Sequence, residues 1–394
     1  MPNDVLSGKL SGFGTTIFAE MSALAVSTGA INLGQGFPDT DGPAEVLDAA
    51  IDAIRRGVNQ YAPGLGDPDL RLAIAEHQKR FYDIDLDPDT EITVTAGATE
   101  ALAGALLGIL DPGDEVVLFE PMYDSYQAGI ALASAVPVPV LLRPGDDGKF
   151  HFDEVELRSA ISPTTRILLL NTPHNPTGKV FDDDELRLIA EVAIEHDLIV
   201  VTDEVYEHLV FDGATHTPLS TFPGMAERTL TISSGGKTFH TTGWKIGWMT
   251  GPEELVTAAR TAKQFLTFTN GAPFQPAIAA GLRLGDEYFD RLAGDLQAAR
   301  DRLAGALVDA GFSTFVPDGT YFVNVDIRSV GADDGMAFCR SLPTTAGVVA
   351  VPDEVFYSDP AHGRHLVRFA CCKQLDVIDE AADRLRRAFA GANS

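Results

Sequence analysis

Short apolar runs alternate with amphipathic helical patterns through the middle of the chain, and this alternation constrains the fold more than any other feature. We predict strands at 92–95, 115–120, 166–171, 198–204, 229–234 and 246–251, with helical patterns such as 97–110 and 184–196 between them. Strands of this kind, separated by helices, are typical of βαβ units, in which both faces of a parallel sheet are covered. The sequence therefore predicts an α/β fold. Its large domain would have three α/β/α layers around a mainly parallel mixed sheet.

The C-terminal part of the chain predicts a second, smaller α/β unit. A helical stretch around 284–310, strands at 321–326 and 365–370, and helices near 334–341 and 375–390 follow one another there. We predict three parts from this pattern. Residues 1–44 form an N-terminal segment that packs with the small domain, 45–290 form the large domain, and 291–394 form the small C-terminal domain.

Charge and composition exclude several classes of function. The chain has 29 Lys+Arg against 57 Asp+Glu, a formal net charge of -28, and such a field repels nucleic acids and anionic lipids. No apolar run reaches the ~18 residues of a membrane helix, and the N-terminus lacks the pattern of a secretory signal. The three cysteines include no Cys-x-x-Cys pair. We expect a cytoplasmic protein that binds no metal, membrane or nucleic acid.

A lysine with the right position for covalent chemistry follows one of the predicted strands. Ligands bind at the carboxyl ends of the strands of such sheets, where polar, aromatic and glycine-rich segments follow several strands here. Lys237 follows the strand 229–234, with two glycines before it. A lysine amine forms Schiff bases with carbonyl compounds when its pKa is lowered. From its position alone, a solvated surface lysine is the alternative.

Several motifs give the chain a resemblance to a known family. They are Ser-x-x-Lys followed by Thr-Gly-Trp-Lys-x-Gly (234–247), NLGQGFPD (32–39), Gly-Ala-Thr-Glu (97–100), NTPHNPTGKVF (171–181) and TDEVYEHLVF (202–211). In this order they resemble the class I/II aminotransferases of the fold-type-I pyridoxal-phosphate family, from about residue 13 to 390. The resemblance implies pyridoxal 5'-phosphate as the cofactor, bound by the large domain.

The resemblance also implies roles for the residues that would carry the chemistry. Lys237 would form the covalent link to the cofactor and then move the proton at the substrate Cα. Asp203 would pair with the pyridine nitrogen and keep it protonated, so that the ring accepts electrons; a helix N-cap is the alternative. Asn175 and Tyr206 would donate hydrogen bonds to the phenolic oxygen. Asn175 is also a strong turn residue, and both roles are compatible.

The remaining cofactor contacts concern the phosphate and the ring. Gly97, Ala98 and Thr99 open a predicted helix, whose first N–H groups and dipole favour an anion. A plain helix cap is the alternative for this motif. By resemblance, Ser234 and Lys245 add a hydroxyl and a charge to the phosphate site, and Tyr123 stacks on the ring.

Substrate contacts are implied on the other side of the ring. Arg368 lies in an apolar strand and must find a partner; in the family this position binds the substrate α-carboxylate by two parallel hydrogen bonds. A structural salt bridge is the alternative. By resemblance, Asn175 and a backbone donor at Gly36 lie near the same carboxylate, and Phe18 lines the side-chain pocket. Tyr61 would reach the phosphate of a neighbouring subunit, which implies a homodimer with shared active sites.

The resemblance implies ping-pong transamination between an amino acid, with glutamate as the expected donor, and a 2-oxo acid. The chain resembles most the actinobacterial N-succinyldiaminopimelate aminotransferases of lysine biosynthesis. The alternative is the kynurenine, glutamine and methionine group, part of which also cleaves C–S bonds, although Asn270 and Gly271 stand where aromatic residues are common in that group. A C–S lyase and a non-catalytic cofactor-binding regulator are further alternatives. The regulator would need a DNA-binding domain, for which the chain has neither the length nor the charge.

Overall fold

The computed structural model describes residues 7–14 and 16–389. Within these ranges the strands are β1 (Ile31–Asn32), β2 (Ile92–Thr95), β3 (Glu115–Glu120), β4 (Val136–Leu141), β5 (Arg143–Pro144), β6 (Phe150–His151), β7 (Thr165–Asn171), β8 (Ile199–Asp203), β9 (Thr229–Ser234), β10 (Gly247–Thr250), β11 (Ser313–Phe315), β12 (Phe322–Asp326), β13 (Val348–Val349), β14 (Val351–Pro352) and β15 (Leu366–Ala370).

The α-helices surround and connect these strands. They are α1 (Ile17–Thr28), α2 (Ala44–Arg55), α3 (Pro68–Tyr82), α4 (Gly97–Ile109), α5 (Asp124–Ala133), α6 (Glu154–Ser159), α7 (Asp183–Glu195), α8 (Gly235–Thr238), α9 (Glu253–Lys263), α10 (Gln275–Leu282), α11 (Asp286–Asp309), α12 (Gly335–Thr345) and α13 (Leu375–Phe389). None of these helices is both long and apolar enough to cross a membrane.

A seven-stranded mixed sheet in the order β2-β10-β9-β8-β7-β3-β4 is the centre of the large domain. β10 pairs antiparallel with both of its neighbours, and the other pairs are parallel. The predicted fold class is therefore confirmed. Three of the predicted strands, β2, β3 and β9, have the predicted bounds.

Alternating side chains along the strands produce the three layers. On β3, Val116 and Leu118 pack with Leu106 of α4 and Ile130 of α5 in one apolar cluster. Val117, next to them, packs in a second cluster with residues of α6 and α7 on the other face. Because side chains of a strand alternate between the faces of a sheet, a continuous apolar run fills both interfaces at once.

The strand β4 was not predicted, and its sequence VPVPVL explains why. Pro137 and Pro139 cannot donate to a ladder of hydrogen bonds, so prolines are confined to edge strands. Among the described residues β4 pairs only with β3, so it forms one edge of the sheet. Its second side needs no donors, and the two prolines are tolerated there.

The C-terminal part has an antiparallel sheet in the order β11-β12-β15-β14, with α11, α12 and α13 packed in the same apolar cluster. The N-terminal segment contacts this unit: β1 pairs in parallel with β13, and α1 packs on α12. The predicted division at residues 44 and 290 stays a prediction. The N-terminal segment also lies beside Arg368, the residue at the centre of β15, because the carbonyl of Gly34 accepts a 3.4 Å hydrogen bond from that arginine.

Candidate active site

One cavity lies at the carboxyl ends of the parallel strands of the large sheet. Its volume is about 210 Å³, and it also receives the residues that precede the antiparallel strand β10. Ten of the predicted cofactor contacts line it: Gly97, Ala98, Thr99, Tyr123, Asn175, Asp203, Tyr206, Ser234, Lys237 and Lys245. The sheet order thus brings together residues that the sequence separates by almost 150 positions.

Lys237 lies on the short helix α8, directly after β9. Its Nζ donates a hydrogen bond to the carbonyl oxygen of Gly36 at 3.4 Å and lies 5.6 Å from the ring centroid of Tyr206. Burial lowers the pKa of Lys237 to about 8. Since the neutral amine is the nucleophile, this shift makes the amine reactive near neutral pH.

Asp203 ends β8 and is only 4% exposed. The hydroxyl of Tyr126 donates to its Oδ2 at 2.7 Å, while its Oδ1 has a longer contact of 3.4 Å with the backbone N–H of Val205. Burial raises the pKa of Asp203 to about 6, and the hydrogen bond from Tyr126 opposes that rise. A buried carboxylate with one weakly bound oxygen beside a cavity favours a ligand that carries an N–H group.

A buried polar layer behind the cavity holds the segment Asp203–Tyr206 in place. Glu204 is 2.9 Å from Nε2 of His216, and both side chains are buried. Glu207 accepts a 2.7 Å hydrogen bond from the hydroxyl of Ser233. Because buried polar groups are costly unless they are paired, these contacts fix the backbone from which Asp203 and Tyr206 reach the cavity.

The end of the cavity at α4 can bind an anion. Gly97 begins the helix with a φ of +74°, and a Cβ there would lie 3.1 Å from Nζ of Lys245, so only glycine fits without strain. The first N–H groups of a helix, here near Ala98 and Thr99, have no intrahelical partner. With the hydroxyl of Ser234 and the ammonium of Lys245 on the same cavity, these groups would attract a phosphate.

Asn171 and Tyr126 line the cavity, and the sequence analysis assigned neither of them a specific role. The side chain of Asn171 accepts from the backbone N–H of Asn175 at 2.7 Å and donates to the carbonyl of Asp203 at 2.8 Å. It therefore ties together the ends of two neighbouring strands. Its position as the first residue of the 171–181 motif was the available signal. For Tyr126 the only signal was its place one helical turn after Tyr123.

Arg368 lies in β15 and is 2% exposed. Its Nη1 donates to Oδ1 of Asn175 at 2.8 Å, and its guanidinium carbon is 4.0 Å from the ring centroid of Phe322 and 5.5 Å from that of Phe18. Burial lowers the pKa of Arg368. The structure thus brings together three of the predicted substrate contacts, Arg368, Asn175 and Phe18.

Gly36 lies beside the same group but presents a different atom from the one predicted. Its carbonyl oxygen accepts hydrogen bonds from Lys237, described above, and from the hydroxyl of Tyr321 at 2.6 Å. The resemblance implied a backbone donor at this position. That role of the N–H group stays a prediction, while the carbonyl oxygen fixes Tyr321 against Lys237.

Tyr61 and the segment around Asn270 lie apart from the cavity lining. Tyr61 is 82% exposed, and its ring packs edge-to-face on Phe268 at 5.4 Å. The side chain of Asn270 donates to the carbonyls of Thr95 and Lys245 at 3.0 Å each. Asn270 therefore supports the strand ends. Tyr61 does not line the cavity of its own subunit, and its contact with the phosphate of a neighbouring subunit stays a prediction.

Comparisons with known proteins agree with this geometry. Residues 28–385 match the family model described as Aminotransferase class I and II. A probable N-succinyldiaminopimelate aminotransferase of Mycobacterium tuberculosis is 53% identical, with 96% of this chain and 97% of the relative covered. A solved structure of N-succinyldiaminopimelate aminotransferase from Mycobacterium tuberculosis superposes with a TM-score of 0.95 at 52% identity, covering 97% of this chain and 100% of that chain. A methionine aminotransferase of Escherichia coli is 40% identical over 96% of this chain and 97% of the relative.

Proposed function

Since the chain belongs to the class I and II aminotransferase family and is an aminotransferase, we propose that it uses pyridoxal 5'-phosphate, bound in the 210 Å³ cavity. The observation that carries the proposal is the pair Lys237 and Asp203 on the walls of this one cavity, an amine with a lowered pKa and a carboxylate with a raised one.

The donor set supports the fit of this cofactor. Oδ1 of Asp203 is available for the ring nitrogen, and Tyr206 and Asn175 line the same cavity as donors for a phenolic oxygen. The start of α4 and Lys245 offer a site for the phosphate. When bound, the cofactor would supply the aldehyde that takes the amino group and the ring that delocalises charge from the substrate Cα.

Lys237 then acts on protons in both half-reactions. Its four-carbon side chain is flexible, so the amine can give way to the substrate amine and remain near the Cα proton. The neutral amine accepts that proton when the Cα–H bond breaks. The resulting ammonium then donates a proton later in the same half-reaction. Gly36 and the ring of Tyr206 limit where the amine can move.

Arg368 orients the substrate. Its guanidinium is fixed by Asn175 and enclosed by Phe322, so a substrate α-carboxylate that binds it enters a site with little water. Charge-assisted, bidentate pairing is strong in such surroundings and sets the direction of the Cα–H bond. The same contact serves amino acids and 2-oxo acids, as a ping-pong transaminase requires.

We propose N-succinyl-LL-2,6-diaminopimelate and 2-oxoglutarate as the physiological pair, with glutamate as the amino donor in the reverse direction. The support is the 53% identity to the Mycobacterium tuberculosis relative over nearly the whole of both chains. A second candidate, methionine transamination, is supported by the 40% identical relative. A homodimer with shared sites is part of the proposal, because Tyr61 is exposed and would need a neighbouring subunit to act on a phosphate.

A screen of half-reactions tests this proposal. The holoenzyme is mixed with one amino acid at a time, and the loss of the cofactor absorbance gives a specificity constant for each. We expect succinylated diaminopimelate and glutamate to react fastest, with unsuccinylated diaminopimelate as the matched control. Faster reaction with methionine or kynurenine would reject the substrate assignment, and turnover without any 2-oxo acid would indicate a C–S lyase.

A further inference from the structure

Asp353 is a buried carboxylate next to the proposed substrate site that the proposed mechanism does not use. It follows strand β14 and begins a short 3-10 turn, Asp353–Phe356, and it is 1% exposed. β14 pairs with β15 so that Val351 lies opposite Arg368. The ring centroid of Phe356, in the same turn, is 4.8 Å from the guanidinium carbon of Arg368. The turn therefore packs directly on the arginine.

Neither Asp353 nor Arg368 is fully paired. Both carboxylate oxygens of Asp353 and Nε of Arg368 are buried without a hydrogen-bond partner among the described residues. Nη1 of Arg368 donates to Oδ1 of Asn175, and Nη2 donates to the carbonyl of Gly34 at 3.4 Å. Both acceptors are neutral groups. Buried charges that lack partners are costly, so each of these two groups favours the opposite charge of the other.

The charges of the two groups act on each other. Burial raises the pKa of Asp353 to about 7, and the charge of Arg368 opposes that rise. Conversely, Asp353 opposes the fall in the pKa of Arg368 that burial causes. A carboxylate that binds to Arg368 would add a negative charge near Asp353 and offset the benefit of the arginine. Asp353 would then hold a proton more tightly.

We propose that Asp353 is an internal counter-ion of Arg368 whose ionised fraction is larger when the substrate site is empty and smaller when a carboxylate binds. The inference rests on the proposed role of Arg368 as the group that binds the substrate carboxylate. It makes Asp353 a positioning residue, which acts on the substrate through the arginine. Binding of any carboxylate is then coupled to proton uptake near neutral pH.

The size of the coupling follows from thermodynamic linkage. If the bound carboxylate raises the pKa of Asp353 by one unit from about 7, binding takes up about 0.4 proton per site at pH 7. By the same relation, the affinity for the carboxylate is about fivefold lower at pH 8 than at pH 6. Affinity must fall as the pH rises, because protonated Asp353 does not compete with the ligand for the charge of Arg368.

Other ionisable groups face this pair, and the test must separate them. Burial raises the pKa of Cys339, of Tyr357 and of Asp124, and it lowers the pKa of Lys237 to about 8. The other groups whose charge acts on Arg368 include Tyr206, Tyr321 and Cys372. In the holoenzyme the protonation state of the cofactor attached at Lys237 is visible in its absorbance. Asp124 has no such signal and needs a variant of its own.

Calorimetry with a simple carboxylate gives the decisive measurement. Hexanoate, which has no amine, is titrated into the holoenzyme at pH 7 in buffers of different ionisation enthalpy, and proton uptake seen in the cofactor absorbance is subtracted. We expect about 0.4 proton per site to remain, to disappear in Asp353→Asn, and to persist in Glu354→Gln, the neighbouring carboxylate on the same turn. Uptake that persists in Asp353→Asn, or that disappears in Asp124→Asn instead, overturns the proposal.

Two controls keep the outcomes distinct. If Asp353→Asn fails to fold, the wild-type enzyme still decides, because absence of residual uptake in the wild type rejects the counter-ion role. Hexanoate binding that does not weaken in Arg368→Lys would show that the carboxylate binds elsewhere, and it would reject the proposed function of Arg368. Binding that depends on Arg368 without residual proton uptake rejects only the role of Asp353.

Discussion

Replacement of Asp203 by asparagine should stabilise the cofactor-free protein and at the same time impair the enzyme. In the folded chain the pKa of Asp203 is about 6, because the carboxylate is 4% exposed, whereas in an unfolded chain an aspartate titrates near 3.9. The folded state therefore binds this proton more tightly than the unfolded state. The stability that this bound proton contributes to the folded state is fully present below pH 4 and is lost as the pH rises through about 6.

The magnitude follows from the two pKa values. The raised pKa lowers the free energy of unfolding by about 1 kcal/mol at pH 4.5, where the unfolded chain ionises first, and by about 3 kcal/mol at pH 7, so the penalty grows by about 2 kcal/mol between them. Asparagine does not ionise and removes this pH-dependent part. The hydrogen bond from Tyr126 at 2.7 Å is stronger to the ionised carboxylate, but this difference is already contained in the pKa of about 6, so it adds no further pH dependence.

Urea unfolding of the apo forms at pH 4.5 and pH 7 is the assay. The variant should gain about 2 kcal/mol on the wild type between the two pH values, while its turnover with cofactor falls by about a hundredfold or more. Tyr126→Phe is the matched control with the opposite sign, since it keeps the carboxylate and removes its donor, which costs about 1.5 kcal/mol or more at pH 7. A stability difference between Asp203→Asn and the wild type that is the same at both pH values would falsify the reasoning.

Three further substitutions test the proposed site. Lys237→Ala should leave no borohydride-reducible adduct in the peptide that contains residue 237 and should lower turnover by about 10²–10⁴-fold; a retained adduct, detected by mass spectrometry, would move the assignment to another lysine. Arg368→Lys should raise KM about tenfold or more for every amino acid alike, because the bidentate pairing is lost, and an effect on one substrate alone would point to side-chain recognition. Tyr61→Phe should weaken cofactor binding about two- to tenfold in a dimer; unchanged affinity, measured by equilibrium dialysis, would remove Tyr61 from the site.

Much of the fold was readable because the strands of the large sheet are buried on both faces. A run such as EVVLFE has no polar interruption, so its bounds follow from the sequence, and β3 has them. The antiparallel direction of β10 was not readable, since its residues are as apolar as those of its neighbours. The direction of β10 depends on the connection between β9 and β10. This connection is made by turns and the short helix α8, which the hydrophobic pattern does not determine.

The sequence predicted those residues of the candidate site that belong to motifs. Asp203, Asn175 and Lys237 belong to motifs that occur together, whereas Tyr126 and Asp353 do not. Tyr126 reaches Asp203 across 77 residues of sequence, a contact that exists only once β3 and β8 take their places in the sheet. The surroundings of Asp353 depend on the pairing of β14 with β15. Tertiary contacts of this kind leave no local periodicity by which they could be recognised.

The charged groups of the site share one physical property that links stability to function. Burial shifts the pKa of Lys237 and of Arg368 downward and that of Asp203 and of Asp353 upward, so each group is pushed toward its neutral form. Each shift is a cost that a ligand of opposite charge can reverse. A ring nitrogen that bears a proton would reverse it at Asp203, and a substrate carboxylate would reverse it at Arg368.

The site is thus less stable when empty than when it is filled, and ligands that bind only the folded state stabilise it by mass action. This gives the proposed cofactor a double effect, since the contacts that would direct the chemistry are also those that would stabilise the fold. It also explains why the buried layer of Glu204, Glu207 and their partners is needed. Without a rigid backbone behind them, Asp203 and Tyr206 would relax toward water in the empty site, and the costs that favour the ligand would be lost.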